Sequence, residues 1–288
     1  MATFFSRLLN DPVLVLYAVA LTVAGFLMAA EAGWSLLGKK KLYRFSDTLA
    51  NLAMYAGYFA INLFWVQFVY RAYVFAYGHR IAEIGTGTWH MGAGDLWWEW
   101  PLLFVLEDFC FYAFHWAGHF VRFFWASHVN HHSSRCYNLS VAFRQTWTPF
   151  VALPFWLPLP LLGFSPLMVM TMQTASLFYQ SALHTQLVPG LGPLEWIFNT
   201  PRHHKLHHGE NAPYLNTNMG GVLIIWDRLF GTFAKESEPV RYGIGEEISS
   251  NPFTIAFHEW KALGKDLIQS RSLREVWGYL FKKPGWRA

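Results

Sequence analysis

The chain has 288 residues, of which 53% are hydrophobic, 19% aromatic and only 14% charged, with a formal net charge of +4. Soluble domains usually carry about 25% charged residues, so this composition excludes an ordinary soluble protein. The basic residues are scattered or flank apolar runs, which argues against nucleic acid as a partner and leaves anionic lipid headgroups to meet the positive excess.

Pro12 to Ala30 contains no charged residue, close to the ~20 residues a helix needs to cross a bilayer. Ala30-Glu31-Ala32 faintly resembles a signal-cleavage site, but the apolar run exceeds the ~7–15 residues of a signal core. It therefore reads as a retained helix. The loop with Lys39, Lys40, Lys41 and Arg44 favours the cytoplasm. A second span is expected at about 47–72, then a Gly-rich connection between Tyr77 and Asp95. A third apolar segment begins near Trp97 and runs into His115 and His119. It carries Glu107 and Asp108, which are costly in lipid unless they face an interior site.

From Gln145 to Leu194 there is again no charged residue. That length suits two passes, with a Pro- and Gly-bearing turn near Leu157 to Pro166. In the tail, about 252–281, Leu263, Leu267, Ile268, Val276, Trp277, Leu280 and Phe281 recur at helical spacing among charged residues. Such a helix lies on a membrane or on the protein itself. Fifteen tryptophans fit aromatic belts at membrane surfaces. Cys110 and Cys136 offer no disulfide framework.

These features predict an all-α integral membrane protein with about four or five transmembrane helices and a cytoplasmic-side helical cap. The expected divisions are 1–96 for the N-terminal membrane helices and connection, 97–236 for a histidine-rich region continuous with them, and 237–288 for an amphipathic tail. The expected location is a multi-pass position in an inner membrane if bacterial, or in the endoplasmic reticulum if eukaryotic.

Seven of the thirteen histidines fall into two clusters. His128, His131 and His132 read H-x-x-H-H, and His204, His207 and His208 repeat it, with His203 directly before. Positions i, i+3 and i+4 project from one helix face, so each cluster presents imidazoles to a common point. His115 and His119, one turn apart, precede the first cluster. Neutral imidazole ligates iron, zinc and copper, and so many exceed what one tetrahedral zinc needs. The pattern predicts a dimetal site. His184, closing a long apolar run, points back to the same layer and is a further candidate ligand. His203 is turned about 100° from His204 and is expected to support the site or serve as an alternative ligand. Asp108 lies two helical turns before His115, on its face, and is placed to hold an imidazole's other nitrogen. His79, His90 and His258 stand alone and are not expected to ligate.

His115-Trp-Ala-Gly-His119, His128-Val-Asn-His131-His132-Ser-Ser and His203-His204-Lys-Leu-His207-His208-Gly closely resemble the histidine boxes of the fatty acid hydroxylase/sterol desaturase superfamily. Thr200-Pro201-Arg202-His203-His204, the run from Asn218 to Phe233, and Tyr137-Asn138-Leu139 look most like its alkylglycerol monooxygenase-like branch. The resemblance covers roughly residues 97–236. It implies a membrane-bound non-haem di-iron oxygenase that hydroxylates or desaturates a lipid, using O2 and electrons from an external donor. The family's ligand positions carry over onto His115, His119, His128, His131, His132, His204, His207 and His208, with His184 as the additional ligand. Two iron ions are the implied cofactor, and zinc can replace them in preparations. Alkylglycerol monooxygenases place a glutamate after the second histidine of the first box, where this chain has Phe120. An acidic residue often follows the serines of the second box, where this chain has Arg135. Sterols, acyl chains and ether lipids all stay open as substrates.

Three other readings compete. A zinc-dependent membrane lipid hydrolase would use metal-activated water, but needs few histidines and a nearby acid–base carboxylate. A bis-histidine haem carrier needs paired histidines on separate helices, not triplets on one turn. A noncatalytic metal-binding scaffold is the third.

Overall fold

The computed structural model describes residues 12–82 and 97–288, with residues 12–20 as backbone only. His90 and most of the Gly-rich connection lie outside the described residues, and so do the side chains of the first part of the expected first span. Among the described residues the regular structure is helical throughout, and the only extended pairings are two isolated bridges, Phe198 with Leu223 and Gly209 with Tyr242.

Helix α1 spans Pro12–Leu37 and α2 spans Phe45–Gly78. At 34 residues, α2 is about 51 Å long at about 1.5 Å per residue. Among the described residues it alone is long and apolar enough to cross a membrane; Leu21–Leu37 and Pro149–Leu162 are shorter apolar stretches. Its outer face shows Phe59, Leu63, Phe64, Phe68 and Phe75. Hydrocarbon is the environment that suits so continuous an apolar surface. Its N-terminal turn stays polar: Asp47 accepts from Arg144 and Ser134, which ties this end of α2 to the histidine-bearing half.

The uncharged stretch does not form the expected hairpin of two long helices. It breaks into α5 (Leu153–Trp156), α6 (Pro158–Leu162) and α7 (Pro166–Ser181), after α3 (Glu99–Phe120) and α4 (Arg122–His132). Prolines 149, 154, 158, 160 and 166 are the cause. Each lacks a backbone donor and so breaks the helical ladder, and Thr148 and Ser165, before Pro149 and Pro166, leave helical geometry altogether. Gly163, at φ 108°, ends α6 in the left-handed region. The 16 residues of α7 reach only about 24 Å, less than the ~30 Å of a hydrocarbon core. These pieces pack inward instead: Trp156, Leu159, Phe164, Met168 and Val169 form one core with Tyr73 of α2 and Leu103 of α3.

The remaining helices are α8 (Pro201–His207), α9 (Ile225–Phe230), α10 (Pro252–Gln269) and α11 (Leu273–Phe281). In the tail, Leu263 is buried, while Ile268, Trp277 and Phe281 of the expected apolar positions are exposed. Ile255 and Ala256 of α10 are buried with Ala50 and Met54 of α2, while Phe253, Ile268, Leu273 and Trp277 face outward. Arg122 clamps the tail to α4. Buried at 4% exposure, it donates to Glu259 at 2.7 Å and Asp266 at 2.6 Å. Removing one partner of a buried ion pair leaves the others unpaired and costs several kcal/mol when all are fully desolvated. Here the carboxylates keep partial access to water, so Arg122→Leu should lower stability by about 1–3 kcal/mol. Limited proteolysis should then cut first within residues 252–288. An unchanged melting midpoint and cleavage pattern would show that the clamp does not hold the tail.

Candidate metal centre

Three breaks in helical geometry deliver the histidines to one place. Helix α3 carries His115 and His119 in its last turns and stops at Val121, whose extended backbone (φ −127°, ψ 117°) redirects the chain into α4. Helix α4 carries His128, His131 and His132. Gly118 lets the two helices close: a Cβ there would stand 3.4 Å from the His128 ring. His184 sits just past the end of α7. Helix α8 begins with Pro201 after the extended Thr200 and delivers His204 and His207, with His208 as its final capping residue. Gly209 follows, where a Cβ would meet the Leu206 carbonyl oxygen at 2.9 Å and the Tyr214 ring at 3.0 Å. The chain can turn away there only without a side chain.

The imidazoles assemble into two groups whose nitrogens lie within 4.8 Å of one another in each: His115, His119, His128, His132 and His207, and His131, His184, His204 and His208. All nine residues expected as ligands are in these groups. The second H-x-x-H-H contributes to both, and so does the first. In the first group His128 Nε2 stands 3.0 Å from the Nε2 atoms of His115 and His132. In the second, His184 Nε2 is 3.1 Å from those of His131 and His204, and His208 Nε2 is 3.2 Å from that of His204.

The opposite ring nitrogens fix the tautomers. Nδ1 of His115 meets the Met219 carbonyl at 2.7 Å, that of His131 the Arg144 carbonyl at 3.2 Å, that of His184 the Gln180 carbonyl at 3.0 Å, and that of His207 the Thr217 carbonyl at 2.8 Å. A carbonyl only accepts, so each of these Nδ1 atoms carries the proton and each Nε2 presents a bare lone pair. His131 and His184 therefore aim two lone pairs at each other across 3.1 Å. With no proton between them, that approach calls for a cation. The spacing also fits one. With metal–nitrogen bonds of about 2.1 Å, ligands at right angles stand about 3.0 Å apart, against about 3.4 Å for a tetrahedral pair. Nε2 atoms of His119 and His207 are buried without a protein partner.

Burial holds His128, His132, His204, His207 and His208 well below the ordinary imidazole range, and neighbouring imidazoles push them further down. Burial likewise lowers His131, to about 4, against the opposing effect of its bond to the Arg144 carbonyl. Neutral rings at neutral pH are the ligating form.

Asp108 does not hold an imidazole. Its carboxylate accepts from the backbone N–H groups of Val222 (2.7 Å) and Leu223 (3.1 Å) and from the Trp226 indole (2.9 Å). These bonds saturate it and set it one link further out, fixing the segment whose Met219 carbonyl receives His115. His203 is outside both groups: its ring packs on Phe233, 5.4 Å between centroids. The turn of about 100° from His204 carries it away from the centre. His79 lies exposed beyond α2 and His258 bonds back to its own helix.

Several supporting residues were not anticipated. Asp227 accepts from the Met219 and Gly220 N–H groups, both at 2.7 Å. Asn218, in the left-handed region at φ 54°, ties this loop to His203 and Ala234 through backbone bonds. Buried Glu31 in α1 accepts from Tyr43 (2.6 Å), from the Leu139 N–H (2.8 Å) and from Thr185, beside His184. A carboxylate in an apolar run is the signal that marked Asp108, and it would have marked Glu31 too. Tyr137 donates to the Leu183 carbonyl at 3.0 Å and packs on His208. Cys110 and Cys136 are both free.

A cavity of about 530 Å³ opens onto this centre, bordered by His119, His132, His207 and His208, with Trp125, Glu210, Leu215, Asn216, the 243–245 loop, Lys283 and Pro284 as its walls.

Residues 100–232 match the fatty acid hydroxylase family. Alkylglycerol monooxygenase from Homo sapiens is 34% identical over 291 residues, 99% of this chain and 62% of that protein. The Xenopus tropicalis protein of the same name is 39% identical over 193 residues, 66% of this chain and 43% of its own length. Ornithine lipid hydroxylase OlsE from Rhizobium tropici is 34% identical over 156 residues, 51% of this chain and 47% of its own length. The chain thus spans about half the length of these relatives. No solved structure matches it.

Single changes His131→Ala and His207→Ala should each cut bound metal severely, whereas His79→Ala, His203→Ala and His258→Ala should leave metal content nearly unchanged. Equal losses in both sets, read by elemental analysis, would mean that general instability had been mistaken for ligation. Metal-free protein should also respond to pH. Unfolded imidazoles take up protons below about 6.5, while the buried ones resist down to about 4 in the case of His131. The unfolded state therefore gains protons first, and stability falls as pH drops from about 6.5 towards 4. A flat melting midpoint across that window would contradict the buried, neutral rings.

Proposed function

The chain belongs to the fatty acid hydroxylase family, on its alkylglycerol monooxygenase-like branch, and from that premise we propose that it is a membrane-bound, iron-dependent lipid hydroxylase using O2. The observation that carries the proposal is the pair of all-imidazole groups, five and four rings, with proton-free nitrogens turned inward. His115, His119, His128, His132 and His207 would hold one ion, and His131, His184, His204 and His208 the other. Two bound irons would supply O2 activation and electron transfer, chemistry that belongs to the metal rather than to any side chain.

The protein's own part is positioning. Carbonyls of Met219, Arg144, Gln180 and Thr217 keep four rings in one tautomer and one orientation, so the site needs no rearrangement to bind. Burial excludes bulk water from the histidine layer. The cavity would bring a substrate to His119, His132, His207 and His208, and the apolar outer faces of α2 and α3 support a position of the centre beside hydrocarbon. We place α1, α2, α3 and the 149–186 region in or against a bilayer as the multi-pass portion, with the histidine layer on the cytoplasmic side. An external donor, not identified by anything in the chain, supplies electrons.

Relatives that are an alkylglycerol monooxygenase and an ornithine lipid hydroxylase favour hydroxylation over desaturation and leave both lipid classes as models for the substrate. A zinc hydrolase fits less well, because nine clustered imidazoles exceed what such a site needs and Glu210, the carboxylate bordering the cavity, is already engaged by the Gly245 N–H.

Iron-loaded protein given a reductant and a total lipid extract should incorporate label from 18O2, and not from labelled water, into an alcohol product. O2- and reductant-dependent alkene formation without label would redirect the assignment to desaturation. Lipid cleavage that proceeds without O2 or reductant would overturn it.

A further inference from the structure

The C-terminal segment forms one wall of the cavity, and it is fixed there. The Arg122 N–H donates to the Lys282 carbonyl at 3.0 Å, so the segment is pinned at the junction of α3 and α4. Trp286 packs on Tyr279, 5.2 Å between centroids, and lies so close to Gly278 that a Cβ there would stand 2.3 Å from the indole. Arg287 pairs with Asp266 at 3.3 Å. These three anchors hold Lys283 and Pro284 over the cavity mouth.

Lys283 has a ring beneath it and no acidic partner among the described residues. Its Nζ stands 4.8 Å from the centroid of Phe120, the residue that follows His119. Phe120 stacks on Trp116, which is exposed on the outer face of α3, so the mouth adjoins an apolar aromatic surface. Gly243 also lines the cavity, and a Cβ there would meet the Arg135 side chain at 3.4 Å. The cavity's one carboxylate is already engaged: Glu210 accepts from the Gly245 N–H at 3.0 Å and faces Arg241 at 4.0 Å. Glu246 and Glu247 are exposed and do not line it.

We propose that the cavity mouth is a headgroup subsite for a lipid bearing a phosphate or comparable anionic group, with Lys283 as its specificity-determining residue. The inference deepens the lipid-hydroxylase reading and rests on it for the identity of the ligand as a lipid. An unpaired ammonium between an aromatic surface and the histidine floor suits a molecule whose chain is apolar and whose head is negative. Lysine snorkels in this manner at membrane boundaries, with its stem on apolar surface and its charge at the polar edge. Arg135 adds a second cation beside Gly243.

The test reads binding rather than turnover. Metal-loaded full-length protein in neutral detergent is titrated calorimetrically with dioctanoyl phosphatidic acid, with dioctanoylglycerol and with inorganic phosphate. The phosphate-bearing lipid should bind about tenfold or more tighter than the neutral one, the scale of one charge-assisted hydrogen bond. Lys283→Glu should abolish that preference with metal content unchanged, and Lys283→Arg should keep it. Equal affinity for the two lipids in the unaltered protein would overturn the proposal. So would a preference that survives Lys283→Glu, which would assign the phosphate to the metals. Competition by inorganic phosphate at the lipid's own concentration would make this a free-anion site and not a lipid subsite. A headgroup preference in protein that oxidises no lipid would sink the hydroxylase reading and keep the subsite. Lipid hydroxylation with no headgroup preference would do the reverse.

Discussion

Nine imidazoles buried with their nitrogens converging set the terms for the rest of this molecule. A buried polar group without a partner costs about 1–3 kcal/mol, and each ring brings two such nitrogens. One nitrogen per ring is directed inward, where only a cation relieves the crowding of lone pairs. The other is left to the protein, which leaves Nδ1 of His204 buried without a partner. For four rings the partner is a backbone carbonyl, at Met219, Arg144, Gln180 and Thr217. Carbonyls inside regular helix are mostly occupied by the ladder, so they are freest at helix ends and in irregular chain. That explains why so much of the centre's support comes from short helices and loops.

The loop 216–223 shows how such irregular backbone is kept rigid. It passes through left-handed positions at Asn216 and Asn218 and contributes two of the four carbonyls. Its own N–H groups would be orphaned if two buried carboxylates did not collect them. Asp227 takes those of Met219 and Gly220, and Asp108 those of Val222 and Leu223. Burial raises Asp227 to about 6 despite these bonds. The carboxylates thus act on the histidine layer through the backbone of this loop. Arg144 repeats the pattern on the other side: its carbonyl holds His131, and its guanidinium is held by Asp47 at the start of α2.

The clustering of the nine histidines was legible in the sequence because helical spacing is a local property. An i, i+3, i+4 triplet needs no knowledge of the rest of the fold to place its rings together. Helical class and the apolar second helix were legible for the same reason. The arrangement of the uncharged stretch was not: composition suggested two passes, while five prolines dictated short packed pieces. Support for the rings was also hidden, because backbone carbonyls leave no mark in the sequence. Asp108 could be picked out as a buried carboxylate from its apolar surroundings, but its partners lie more than a hundred residues away. Glu31 carried the same signal, obscured by its likeness to a cleavage site.

The two nitrogen groups are not equivalent in access. His119, His132 and His207 of the five-ring group border the cavity, whereas only His208 of the four-ring group does so. His131, His184 and His204 lie behind, against Tyr137, the Arg144 carbonyl and the end of α7. A molecule in the cavity therefore meets the five-ring group first and the four-ring group only at its edge. That asymmetry has a physical source in the chain order. The first box and His207 stand where α3 and α4 meet the C-terminal segment, and the opening lies between them. The four-ring group is closed by His184, whose neighbour Thr185 is bound to Glu31 of α1. A helix expected only to anchor the protein thus also closes the inner side of its histidine layer.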